Sequence, residues 1–151
     1  MAKFIFKMQN ILEVKLKLEE QAKSTYANAI AALEVEKGKQ RLLEQKRDGY
    51  EKKLTSLMFE NLQVMEICRL EDAVEIMKYR INEQMVMVRN AEIQVQKAQK
   101  VLHEAMIERK TYEKLKEKAF EEFKQEINSQ EKKEIDELVS YKFSVPKEEV
   151  M

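Results

Sequence analysis

The chain has 151 residues, 37% of them charged, with 28 basic against 28 acidic side chains and no net charge. Ordinary domains are about 25% charged, so a large compact core is excluded, and the balanced charge argues against a nucleic-acid partner. Cys68 is the only cysteine, which excludes an internal disulfide and suits a reducing cytoplasm.

The opening MAKFIFKMQN is too short, and too interrupted by Lys3 and Lys7, for a secretory segment. No apolar run reaches the ~20 residues of a membrane span, so direct insertion into a bilayer is not expected. Helix 1 is expected over about 3–58. Heptad spacing collects Phe4, Met8, Ile11, Leu18, Ala22, Ala29 and Ala32, meets Glu36 and Lys39, and resumes at Leu43, Tyr50 and Leu57. Leu12, Val14 and Leu16 fall off that frame, and so wide an apolar surface implies a further partner. Gly38 and Gly49 each cost about 1 kcal/mol against Ala within a helix. They mark either tolerated surface positions or a bend or close approach.

A turn is expected at about 58–64, where Asn61 can take a left-handed backbone; Glu71-Asp72 is the rival position. With the turn at Asn61, antiparallel helices pair residues whose numbers sum to roughly 123, setting Phe4 near Ala119. Met58, Phe59, Leu62, Met65 and Ile67 crowd this region. They either form a docking surface, for which flexible methionine is suited, or fill the closure of the hairpin.

Helix 2, about 65–140, carries the clearest pattern. Stepping four and three residues from Leu70 gives Val74, Met77, Ile81, Gln84, Val88, Ala91, Val95, Ala98, Leu102, Ala105, Arg109, Tyr112, Lys116, Ala119 and Phe123. A 3.5-residue period sustained this long specifies a helix burying one narrow seam against a partner helix. Large residues (Val74, Ile81, Val88, Val95, Leu102) alternate with a second row of Met77, Ala91, Ala98, Ala105 and Ala119, whose alanines let the helices approach closely. Beyond the paired zone Phe120, Phe123, Ile127, Ile135, Leu138, Val139, Tyr141 and Phe143 form an apolar overhang, and a lone helix is marginal in water. The stretch 144–151, holding Pro146, is expected to fray.

The fold class is therefore all-α: two long helices in an antiparallel coiled-coil hairpin over 1–143. Nothing in it suggests catalysis or a cofactor. His103 is the only histidine, which rules out a two-histidine metal motif. Cys68 has no histidine near it in sequence, and the close carboxylates have no desolvating pocket.

The start MAKFIFKMQNILEVKLKLEEQAK and the late stretch ERKTYEKLKEKAFEEFKQEINSQEKKEIDELV closely resemble the FliJ family of the flagellar type III export apparatus. The likeness extends over essentially the whole chain. It implies a coiled coil similar to the central stalk of rotary ATPases, located in the cytoplasm against the inner face of the membrane through the export apparatus. It further implies contact with the hexameric export ATPase FliI through the region where the termini meet, pointing to Phe4, Met8, Ile11, Phe120, Phe123 and Ile127. Contact with the export-gate protein FlhA maps near the hairpin, onto Leu43, Tyr50 and Met77 with Lys39, Lys46, Ala73, Arg80 and Gln84 around them. Flagellar substrate chaperones are the third implied partner. Two other classes compete with this reading. A rotary-ATPase stalk subunit usually adds a globular domain, for which this chain has no room, and a plain spacer would carry equal seams and no adhesive ends.

Overall fold

The computed structural model describes residues 2–60 and 63–144, with the backbone alone at Glu60 and Ser144. The expected turn residue Asn61, with Leu62, lies outside the described residues, as does the tail from 145 with Pro146. Two helices make up the fold, α1 over Gln9–Glu60 and α2 over Val64–Ser144, and no strand occurs among the described residues. The fold is an all-α antiparallel coiled coil of two long helices. Glu66 in the first turn of α2 and Lys142 in its last complement the helix dipole.

Contacts divide the chain into two compact units, Met1–Glu19 with Ala105–Met151, and Glu20–Glu104. In the first, Lys15 Nζ meets Glu108 Oε2 at 2.8 Å and Phe4 lies against Phe120, so numbers rise along one strand of the pair as they fall along the other. In the second, Gln84 bonds Glu36, while Lys53, Leu57, Arg69 and Leu70 line one concavity. Within each unit the two helices run antiparallel.

All sixteen of the spaced positions from Leu70 to Phe123 are buried or half-buried. Val74, Met77, Ile81, Val88 and Ala98 form most of the buried apolar set. The seam of α1 differs from the expected one. Its inward residues are Leu12, Lys15, Glu19, Ala22, Tyr26, Ala29, Leu33, Glu36, Gln40, Leu43, Arg47, Tyr50, Leu54 and Leu57. Half of the expected frame stands, at Ala22, Ala29, Glu36, Leu43, Tyr50 and Leu57. Phe4 is half-buried as well; the rest is displaced by one residue, because Met8, Ile11, Leu18, Ala32 and Lys39 face solvent while Gln9, Leu12, Glu19, Leu33 and Gln40 turn inward. Apolar character misleads here: the inward row holds Glu19, which pairs with Arg109 across the seam, Gln40, which donates to Glu44, and Arg47, whose Nε is buried without a hydrogen-bond partner among the described residues.

Helix α1 also begins later than its spacing suggests. Residues 2–6 lie outside any helix, and the first turn closes with Gln9 N donating to Phe6 O at 3.2 Å and Leu12 N to Met8 O at 3.0 Å. The Phe4 ring packs edge-on against Phe120, centroids 5.1 Å apart, and tilted against Phe123 at 5.4 Å. Such aromatic pairs contribute about 0.5–1.5 kcal/mol beyond area burial, enough to hold a short segment in place.

Candidate functional site

Within the second unit, the candidate gate-contact residues fall into two groups. Leu43, Tyr50, Ala73, Met77 and Gln84 are buried or half-buried, Met77 at 6% exposure, and so take part in helix–helix packing. Lys39, Lys46 and Arg80 are exposed. Glu36 ties two members of the set together. The Gln84 amide donates to the Glu36 carbonyl at 2.9 Å and to its carboxylate, and Lys39 Nζ reaches the other carboxylate oxygen at 3.3 Å. The Gln84 hydrogen bond, helped by Lys39, holds the Glu36 carboxyl below its ordinary value. A polar layer inside a coiled-coil seam fixes register at some cost in stability. Glu36, read from spacing as an interruption, is thus the residue that organises this layer.

Within the first unit, Phe4 joins Phe120 and Phe123 in one aromatic cluster, and Lys124 Nζ sits 4.6 Å from the centre of the Phe120 ring. Phe4, Phe6, Met8, Leu115, Ala119 and Phe123 line an open concavity of about 710 Å³ edged by Lys3, Lys7, Lys118, Glu122 and Glu126. Ile127 is half-buried, and Ile11 is 43% exposed. From 128 to 143 every residue of α2 is exposed, including Ile135, Leu138, Val139, Tyr141 and Phe143. Phe59 and Met65, near the end of α1 and the start of α2, also face solvent.

Spacing alone also missed a charged cluster in the seam of this unit. Glu19, 5% exposed at its side chain, pairs with Arg109, which reaches Glu113 at 2.8 Å as well. The Glu113 hydrogen bond, then that of Glu19, raises the already high affinity of Arg109 for its proton. Arg109 stands out in the α2 frame as a polar residue among apolar ones, which was the available signal. Glu19 gave none, since it lay one position off the expected frame.

No group of three metal-ligating side chains occurs among the described residues, and none of the described helices is long and apolar enough to cross a membrane. The chain carries its chemistry on helix surfaces: exposed apolar side chains, lysines and an aromatic cluster on a two-helix coiled coil. That is the class of two-helix coiled-coil proteins. The model of the flagellar FliJ protein family matches residues 4–148. The flagellar FliJ protein of Bacillus subtilis (strain 168) is 31% identical over 150 residues, covering 93% of this chain and 95% of the relative. The chain belongs to the FliJ family, and so is a component of the flagellar export apparatus. A solved chain described as a YscO homologue of Chlamydia trachomatis shares the fold, with a TM-score of 0.69 at 19% identity over 97% of this chain and 99% of that one.

Proposed function

We propose that this FliJ-family chain is the stalk of the export apparatus, binding the hexameric ATPase FliI, linking it to the export gate FlhA, promoting ATPase assembly and escorting export chaperones. The observation that carries this reading is the apolar surface of residues 128–143. Four large apolar side chains there, Ile135, Leu138, Val139 and Phe143, are exposed along the helix. An isolated helical stretch of this length is marginal in water, so docking to another protein gives it a reason to persist. Phe4, Met8, Phe120 and Phe123 would extend that surface toward the ATPase. Lys39, Lys46 and Arg80 are the exposed part of the gate-contact set, with Leu43, Tyr50, Ala73, Met77 and Gln84 supporting them from the seam.

Such a component acts by binding one state of the ring or gate better than another, because equal affinity for both states shifts nothing. The chain would work in the cytoplasm, held at the inner membrane through its partners. Titrating it into dilute FliI should raise the rate of ATP hydrolysis, as the ring assembles around it. A flat rate through stoichiometric addition would contradict the stalk role.

A further inference from the structure

The outward face of α1 in the second unit carries a signal that the stalk reading leaves unused. Ala31, Val35, Gly38, Leu42, Gln45 and Gly49 follow one another at intervals of three and four residues, half a turn away from the seam. None is charged, in a chain where 37% of residues are. The outer face of a two-helix pair is where charge is expected. Instead Val35 is 58% exposed and Leu42 61% exposed. A 3.5-residue period facing outward has the form of a second seam.

The glycines support the same conclusion. A Cβ on Gly49 would meet nothing within 4 Å, and one on Gly38 only the far end of Arg41 at 4.0 Å. Neither glycine has a positive φ. Packing within the chain therefore has no use for the missing side chains, although glycine weakens a helix. Along one edge of the face run Lys39, Lys46 and Lys53, exposed and seven residues apart. The other edge is mixed, with Glu34, Arg41 and Asp48.

We propose that this face is a docking seam for an amphipathic α-helix of a partner protein. The partner helix has a narrow apolar stripe and is edged with Glu or Asp at seven-residue intervals, opposite the lysine row. It approaches α1 most closely at Gly38 and Gly49, with Val35 and Leu42 as the apolar contacts. Flanking charges of opposite sign are how coiled coils select partners and orientation. A second copy of the same face meets the lysine row poorly: antiparallel it brings lysine rows together, and parallel it sets them against a mixed edge that includes Arg41. The proposal rests on the reading that this region contacts another export component, and it specifies the chemistry of that component.

Two designed helical peptides test it, identical except for Glu or Lys at the edge positions, titrated against the full chain by fluorescence anisotropy. The Glu-edged peptide should bind at least about tenfold tighter, and the preference should weaken with salt. The Gly38→Gln/Gly49→Gln variant should keep its helicity by circular dichroism and lose that binding. Lys39→Glu/Lys46→Glu/Lys53→Glu should reverse the preference toward the Lys-edged peptide. Equal binding of the two peptides, binding of neither, or full affinity in the double-glutamine variant would overturn the proposal. So would capture of the chain by phosphatidylglycerol vesicles with the Glu-edged peptide ignored. Failure of the full chain to bind FlhA would reject the gate reading on its own, whatever the peptides do.

Discussion

The two helices bring different chemistry to the seam they share. Along α2 from Leu70 to Phe123 the inward row is apolar except for Gln84, Arg109 and Lys116, with bulky residues alternating with alanine from Val88 to Ala105. Along α1 the inward row includes Lys15, Glu19, Glu36, Gln40 and Arg47. Apolar burial is non-directional and supplies most of the stability. Buried polar groups need partners at fixed positions, so they specify which residues face each other. In this pair α2 provides most of the adhesion and α1 most of the addressing.

That difference predicts unequal responses to substitution. Ile81→Ala, at a position 5% exposed, should cost about 2–5 kcal/mol in chemical denaturation, as buried Ile→Ala changes do. Val86→Ala, at an outer position 59% exposed, should stay within about 0.5 kcal/mol. Equal losses would mean that the row through Ile81 is not the buried face of α2. A smaller effect is expected from the charged layer. Arg109→Leu alone should lower the melting temperature more than Glu19→Leu/Arg109→Leu, because the single change takes the Arg109 charge away from a carboxylate held in the seam. If the double variant melts lower than the single one, the layer contributes to stability as well as to register.

How much of this was legible in the sequence follows from the same contrast. The α2 seam could be read position by position because its residues are apolar and the period is unbroken. Half of the α1 seam was legible, through Ala22, Ala29, Leu43, Tyr50 and Leu57. The other half was not, because Ile11, Leu18 and Ala32 offered apolar decoys one residue before Leu12, Glu19 and Leu33. Periodicity counts apolar residues and has no means of foreseeing that Glu19 will find Arg109, or Glu36 Gln84. The departure of residues 2–6 from the helix was equally hidden, since Phe4 is held by rings more than 100 positions away in the chain. For the candidate contacts, spacing and resemblance named residues but could not tell Met77, inside the packing, from Lys39 and Arg80, outside it. The uncharged outer face of α1 became visible only once the inward row was fixed, because its position is defined relative to that row.

Both the division of labour between the helices and the outward docking face depend on which way α1 is turned. Thiol alkylation rates measure this directly, using single cysteines in a Cys68→Ser background at Ala32 or Leu33 and at Lys39 or Gln40. Cysteines at 32 and 39 should react at the speed of an exposed thiol, and those at 33 and 40 distinctly more slowly. Fast reaction at 33 and 40 with protection at 32 and 39 would turn α1 by one residue and contradict the account.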